Sequence, residues 1–257
     1  FTSAFKTTII NELGILLINK GFMDELDTAD NIIGVGNGVL ELGKKVNLIN
    51  YYHDYKISLF TTVNYIPYSP SDNNIMRLET HLKVLFPQSE YDAYKFTMLY
   101  CASALDGKPK DSLIYIIIGS GSNGKSFLFE LMRSVLGKNY SEKVPLSLLT
   151  SKRNDSKNAD SSLMRLRGLR LALYSEVEKN EELMTSKVKE LTGQEYISGR
   201  DLYETQKTFR PICHHLITTN YHFSIKTTDH GIWRRIITYR MKYQFVNNPD
   251  PKNEFEK

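Results

Sequence analysis

Leu113-Ile114-Tyr115-Ile116-Ile117-Ile118-Gly119-Ser120-Gly121-Ser122-Asn123-Gly124-Lys125-Ser126 decides how this chain is read. The first six residues form a continuous apolar, β-branched run, the pattern of a strand buried on both faces of a parallel sheet. The next eight satisfy G-x-x-x-x-G-K-[ST] in full, the pattern of a phosphate-binding loop. A helical pattern follows over residues 125–136. Strand, glycine loop and helix in that order aim backbone N–H groups and the positive end of a helix at a phosphate chain. In such a loop Gly119, Ser120, Gly121, Ser122, Asn123 and Gly124 wrap the phosphates. Lys125 reaches the β- and γ-phosphates, and Ser126 places its hydroxyl on Mg²⁺. The cofactors implied are ATP and Mg²⁺.

Further strand patterns lie downstream, at residues 169–174, 214–219 and 236–239, separated by helical stretches. Strands alternating with helices predict an α/β domain with a mostly parallel sheet. Leu171-Ala172-Leu173-Tyr174 runs into Ser175-Glu176-Val177-Glu178. A strand ending in acids suits Mg²⁺ binding and activation of water, with Glu176 the metal acid; Glu178 shares its face if the strand persists that far. Leu216-Ile217-Thr218-Thr219 ends on Asn220, whose amide can both donate to and accept from a γ-phosphate or its attacking water, or can simply form a turn. His214 and His215 are adjacent on this strand, so they point to opposite faces and do not read as a metal pair. Gly231-Ile232-Trp233-Arg234-Arg235-Ile236 opens the last strand with two arginines. They are either a surface pair or the source of an arginine finger for a neighbouring subunit's nucleotide. Residues 187–211 read as a helix end and then a hairpin carrying Arg200, Tyr203, Lys207 and Arg210. Basic residues interleaved with aromatics suit a nucleic-acid strand.

Upstream, residues 1–106 carry no catalytic signature. Helices are predicted over residues 5–20, 75–86 and 91–105. A hairpin is predicted over residues 32–42, with Asn37-Gly38 supplying the positive φ angles of its turn. The Gly34-x-Gly36-x-Gly38 spacing belongs to that turn, because no helix pattern follows it. Residues 65–72 read as a linker. Asp106-Gly107-Lys108-Pro109 is the strongest boundary, with Gly ending a helix and Pro following. Net charge divides at the same place: −4 over residues 1–106, +9 over 107–242 and −1 over 243–257. A basic middle segment favours a polyanionic partner. Two cysteines, Cys101 and Cys213, cannot build a disulfide framework or a structural zinc site; they suit a reducing, intracellular setting. Apolar runs fall far short of a membrane span. The chain opens without Met and closes on Asn253-Glu254-Phe255-Glu256-Lys257, and it reads as an excerpt of something longer, with 243–257 a truncated tail.

Taken together, these motifs resemble the superfamily 3 helicases, in particular the helicase domain of poxvirus-like primase–helicases of large DNA viruses and their phage and plasmid relatives. The residues that carry the resemblance are Gly121-x-Asn123-Gly124-Lys125-Ser126, Ser175-Glu176, Lys189-x-Leu191-Thr192-Gly193, Ile197-x-x-Arg200, Phe209-x-Pro211, Thr219-Asn220 and Gly231-Ile232-Trp233-Arg234-Arg235-Ile236. Upstream, Asn37-Gly38-Val39-Leu40-Glu41-Leu42 is similar to a short segment preceding the core in that family. The resemblance implies an AAA+-type ATPase core over residues 107–242, preceded by a smaller, largely helical region over 1–106. It implies a ring, usually a hexamer, around single-stranded DNA, with a primase domain elsewhere in the full-length chain. Residue by residue, Lys125 and Ser126 match the Walker A positions, Glu176 the Walker B acid, Asn220 the sensor, and Arg234 or Arg235 the finger. Arg200, Tyr203 and Lys207 fall in the hairpin that faces the DNA channel. The function implied is ATP-driven helicase or translocase activity in viral-type genome replication. A ring ATPase moving another substrate, such as a packaging motor, and a nucleotide-dependent interaction module are the alternatives. Three departures stand out: Gln194-Glu195 replaces the commoner Gly-Asp, Phe127 stands where a second hydroxyl is frequent, and the proline often found after the sensor Asn is missing.

Overall fold

The chain's apolar runs become the strands of one central sheet. The structure, a computed structural model, describes residues 2–18, 21–50, 53–108, 111–150, 161–175, 177–226 and 229–257. In chain order the elements are α1 (Ser3–Leu16), α2 (Phe22–Glu25), β1 (Ile32–Val35), β2 (Gly38–Glu41), β3 (Asn47–Ile49), α3 (Asn73–Val84) and α4 (Tyr91–Ser103). The second half continues with β4 (Ile114–Ile118), α5 (Lys125–Tyr140), β5 (Ser141–Lys143), α6 (Ser147–Thr150), α7 (Ser161–Met164), β6 (Leu171–Tyr174) and α8 (Thr185–Thr192). It closes with β7 (Ile197–Gly199), β8 (Lys207–Phe209), β9 (His214–Thr219), α9 (His230–Trp233) and β10 (Ile236–Arg240).

Five strands pair in the order β10-β4-β9-β6-β5, every pair parallel. The α/β class with a parallel sheet is therefore the observed fold. β4, the loop-bearing strand, is interior, with the edge strand β10 on one side and the central strand β9 on the other. Its five residues are all buried, and strand alternation sends them to two different cores. Ile114, Ile116 and Ile118 join Ala172, Tyr174 and Ile217 on what we call the hairpin face, beneath α6, α7, α8, α9 and the β7–β8 hairpin. Tyr115 and Ile117 join Leu171, Leu173 and Leu216 on the amino-terminal face, beneath α3, α4, α5 and the β1–β2 hairpin.

The amino-terminal face is built from both halves of the chain. Ile33, Val35, Leu40, Leu82, Leu85, Phe86 and Tyr100 pack with Leu128, Phe129, Met132 and Leu136 of α5. Buried Arg170 donates to the carbonyls of Asp30 (2.9 Å) and Ile32 (2.8 Å), and the Tyr140 hydroxyl accepts from Gly34 N at 2.9 Å. Gly107 donates its N–H to Asp30 O at 2.8 Å. A Cβ there would collide with the Arg170 guanidinium. That glycine answers a close approach rather than the end of α4, which stops at Ser103. Pro109 lies outside the described residues.

Two local expectations are corrected. The hairpin over residues 32–42 forms, but its register pairs Val35 with Gly38, so the two loop residues are Gly36 and Asn37. Neither has positive φ, whereas Gly38, at φ 148°, already belongs to β2. α1 is shorter than the predicted 5–20 and buries none of its residues; residues 19 and 20 lie outside the described part. α5 is interrupted at Gly137, whose φ of 63° and ψ of 179° are not helical. The predicted stop at Leu136 thus marks where regular helix ends.

Candidate nucleotide-binding site

The loop that leaves β4 folds back on itself through named contacts. Gly121 and Gly124 sit at φ 111° and 83°, and Ser122 at 49°. At Gly124, which caps α5, a Cβ would run into the Leu85 side chain as well. Asn123, buried, organises the turn: its Oδ1 accepts from Gly121 N (2.8 Å) and from Lys125 Nζ (3.2 Å). Lys125 Nζ also donates to Gly119 O at 2.9 Å. Burial lowers the pKa of this ammonium, because a charge is held among carbonyl dipoles with little water; an anion at the loop would restore what desolvation removes. Ser120, Ser122 and Ser126 are exposed on the open side of the loop. The α5 N-terminus and this lysine fit a polyphosphate chain, and the exposed Ser126 hydroxyl fits the Mg²⁺ that accompanies it.

Sequence reasoning named the loop but missed what supports it. The segment after β10 runs beneath it. Met241 N donates to Ile118 O (2.8 Å), Asn123 Nδ2 to Tyr243 O (2.5 Å), and Phe245 N to Ser122 O (2.8 Å). Nothing in the composition of residues 241–245 signals this, since the contacts run through backbone atoms.

β9 brings the sensor candidate alongside. Register places Ile118 opposite Thr219, and Gly119 N donates to Thr219 O at 3.0 Å. Asn220 is therefore the next residue on the strand beside the loop's first glycine, and it is exposed. Thr219 fixes the turn beyond it: its hydroxyl accepts from Tyr221 N (2.9 Å) and donates to Tyr221 O (3.0 Å). β6 flanks β9 on the other side, with Tyr174 opposite Ile217. Glu176 lies outside the described residues. β6 ends at Tyr174 and Glu178 is exposed beyond it, so strand alternation does not carry Glu178 onto a shared face. Among the described residues the buried Ser175 Oγ has no hydrogen-bond partner.

The paired arginines separate. Arg235 turns inward, donating to Gly231 O (2.6 Å) and Thr192 Oγ1 (3.2 Å), whereas Arg234 is exposed. Both precede β10, whose first residue, Ile236, stands opposite Ile114. They lie at the end of the sheet away from the chain's own phosphate loop, about 13 Å of strand distant. The β7–β8 hairpin pairs Gly199 with Lys207, so Arg200, Tyr203 and Lys207 lie on one projection. Tyr203 stands at its tip, fully exposed, with φ 64°. Lys207 is ion-paired to Glu204, which holds the Glu204 carboxyl below its ordinary range.

His214 and His215 do face opposite ways. His214 Nε2 meets Ser103 Oγ at 2.9 Å, while His215 Nδ1 meets Tyr174 OH at 2.9 Å. Burial depresses both, His215 to about 4, and it pushes the Cys101 and Cys213 thiols up to about 12. Among the described residues, no group of three or more His, Cys, Asp or Glu could hold a metal ion, and no helix is long and apolar enough to cross a membrane.

Comparison with known proteins extends the resemblance. A family of unknown function, DUF5906, matches residues 117–235. The whole chain is 37% identical to "Putative primase C962R" of African swine fever virus, covering 27% of that protein. Over 99% of its length it is 29% identical to "Putative helicase L207/L206" of Acanthamoeba polyphaga mimivirus, covering 26% of it. The chain thus spans about a quarter of the length of the curated relatives it matches. Among solved structures it is 16% identical to the apo C-terminal region of NrS-1, at a TM-score of 0.46, covering 76% of this chain and 41% of that one. The similarity to primase and helicase proteins of large DNA viruses therefore includes residues 1–106 as well as the motif-bearing segment.

Proposed function

We propose that this chain is the motor segment of a viral-type DNA helicase, with residues 107–242 as its ATPase core and 1–106 as the region that precedes and braces it. One observation carries the reading. On adjacent parallel strands, the loop holding Lys125 and the tip holding Asn220 stand side by side at the same end of the sheet, joined by the Gly119–Thr219 hydrogen bond. That is where ligands bind in open α/β sheets. In this reading the loop N–H groups and Lys125 hold the β- and γ-phosphates. Asn220 orients the attacking water, and Glu176 and Ser126 are the residues that would hold Mg²⁺. The bound Mg²⁺ would neutralise charge on the transferring phosphoryl group. Arg234, exposed and remote from its own loop, serves the nucleotide of the next subunit in a ring, and Arg235 holds the turn that presents it. The basic hairpin, with Arg200, Tyr203 and Lys207, faces single-stranded DNA in the channel. The names of the relatives, primase and helicase, support the same reading and suggest a primase domain elsewhere in the full-length protein.

The test is ATP hydrolysis with and without single-stranded DNA. Stimulation by DNA is expected. Turnover indifferent to DNA would instead favour a ring ATPase acting on something else, and binding without turnover an interaction module.

A further inference from the structure

We infer that Lys189 and Asp229 are positioning residues for Arg234: their ion pair bolts the turn that presents this arginine onto α8, the helix that leads into the β7–β8 hairpin. The inference rests on the reading of Arg234 as the residue that completes a neighbouring subunit's site. α9 is a single turn, His230–Trp233, too short to hold its own shape in water. Contacts from outside must fix it, and Asp229 supplies two. Its Oδ1 caps α9, accepting from Gly231 N at 2.7 Å, and its Oδ2 takes the Lys189 ammonium. The hydrogen bond from Lys189, and then that from Gly231, hold the Asp229 carboxyl below its ordinary range. Gly231 leaves room for the lysine: a Cβ there would lie 2.8 Å from Asp229 Oδ1 and 3.2 Å from Lys189 Cε. The glycine that opens the Gly231-Ile232-Trp233-Arg234-Arg235 stretch therefore answers the approach of a side chain from another helix.

A second bolt lies further along α8. Arg235 Nε donates to Thr192 Oγ1 at 3.2 Å, and that hydroxyl donates in turn to Val188 O at 2.7 Å. Residues 189 and 192 are spaced i, i+3, so they share one face of the helix. Ile232 is fully buried in the same core as Val188 and Leu191. Arg234, exposed, thus sits on a turn anchored to α8 on both sides of it. The end of α8 runs through Gln194 into β7, and Arg210, just past β8, donates to Gln194 Oε1 at 2.7 Å. Both strands of the hairpin return to the end of this helix. A shift of the hairpin on engaging DNA would therefore be carried by one rigid element of eight residues to the Arg234 turn.

The experiment is steady-state ATP hydrolysis with single-stranded DNA for Lys189→Met, Asp229→Asn, the double variant and Lys189→Arg. Methionine keeps an unbranched stem and loses the charge; asparagine keeps the cap on Gly231 N and loses the charge. Both should fold with thermal midpoints close to that of the wild type. We expect kcat to fall about tenfold to a hundredfold in each, the scale of a group misplaced by about an ångström. KM for ATP and affinity for single-stranded DNA should not change, because the loop and the hairpin are untouched. The double variant should be no worse than either single one, and Lys189→Arg should keep most of the rate. Mixing gives a readout that a general loss of structure would not move. Lys189→Met subunits have intact phosphate loops and a misplaced arginine. In mixed rings, Lys125→Ala subunits should restore part of their activity and Arg234→Ala subunits none. A full rate in Lys189→Met or Asp229→Asn, beside a loss in Arg234→Ala, overturns the positioning role and leaves Arg234 standing. So does a Lys189→Met defect that raises KM for ATP, or that Arg234→Ala subunits relieve, or that Lys125→Ala subunits do not. A full rate in Arg234→Ala overturns the reading of that arginine, and the positioning role with it.

Discussion

The two faces of the sheet are fed by alternate residues of the same strands, yet they are built differently. The hairpin face closes with side chains from residues 114–236 alone. The amino-terminal face needs residues 33–104 as well, from the separate segment 1–106, whose net charge is opposite. The difference teaches that a boundary in sequence need not be a boundary in the core. Charge, proline and glycine all change near residue 107, but the apolar surface of β4 and α5 does not end there. It also divides the proposed work. Phosphates would be held at the start of α5, which covers the amino-terminal face, while the hairpin and the arginines belong to the other.

The largest effect should come from removing one face's cover. A chain beginning at residue 107 loses nine buried residues of the amino-terminal core, from Ile33 to Ala104. At about 1.5–3 kcal/mol for each of the seven large apolar side chains among them, the loss matches or exceeds the roughly 5–15 kcal/mol that holds a domain folded. We expect this shortened chain to show no cooperative thermal transition. A sharp transition at the temperature of the whole chain would mean that the amino-terminal region merely rests on the sheet.

Next come the arginines, of which one is exposed and the other turned inward. Arg234→Ala should leave stability within about 0.5 kcal/mol, as for an exposed side chain, and remove most DNA-stimulated hydrolysis. Arg235→Ala should destabilise by about 1–3 kcal/mol, because it strips the partners from a half-buried pair of hydrogen bonds. If Arg234 acts on the neighbour, mixing Arg234→Ala subunits with Lys125→Ala subunits restores part of the activity that each lacks. Mixed rings without recovery would return the arginine to its own subunit.

The adjacent histidines report on both faces at once. Each is held neutral by burial, His214 on the amino-terminal face and His215 on the hairpin face. Their folded pKa values lie below the unfolded value of about 6.5. The unfolded chain therefore binds more protons below that pH, and stability falls as pH drops from about 6.5 towards 4. For His215, whose folded value is about 4, the loss is on the order of 3 kcal/mol. Denaturant midpoints at pH 7 and pH 5 would capture about 2 kcal/mol of it. His215→Asn should flatten the slope, and an unchanged slope would remove the histidine from the account.

How much of this was legible beforehand depends on where the information sits. β9 matches its predicted range to the residue and β4 to within one; β4, paired on both sides, writes itself as an unbroken apolar run. The loop was legible because its chemistry needs glycines and a lysine at fixed spacing. The split between Arg234 and Arg235 was not, since it is decided by which of two adjacent side chains meets Gly231 O and Thr192. The clamp of residues 241–245 was not either, because it is made largely by backbone atoms, which any sequence can supply. Strand β6 is two residues shorter at its start than the predicted 169–174, and it ends at Tyr174, before the acids.

On the hairpin, the Lys207–Glu204 ion pair makes the charge available to DNA smaller than the sequence suggests. Glu204→Gln should therefore tighten single-stranded DNA binding and steepen its salt dependence by about one counterion, while Lys207→Ala does the reverse. Salt titrations that stay parallel and superimposed for both variants would place the pair outside the DNA path.

The smallest effect concerns a departure from the helicase pattern on the hairpin face. Gln194 stands where glycine is commoner, and its φ is 59°, a left-handed conformation that costs a side-chain-bearing residue about 1 kcal/mol. Gln194→Gly relieves that strain. It also removes the Arg210 Nη2 hydrogen bond to Gln194 Oε1, 2.7 Å long and exposed, and it enlarges the entropy of the unfolded chain by about 0.4–1 kcal/mol. The terms oppose each other and are of equal size, so the midpoint of unfolding should move by less than about 1 kcal/mol. Gln194→Val is the sharper variant. A β-branched residue at the same φ keeps the strain, adds to it and loses the hydrogen bond, so it should destabilise clearly where glycine does not. Equal midpoints for the valine and glycine variants would show that the turn between α8 and β7 can relax away from the left-handed conformation, and that glycine is commoner there for some reason other than backbone strain.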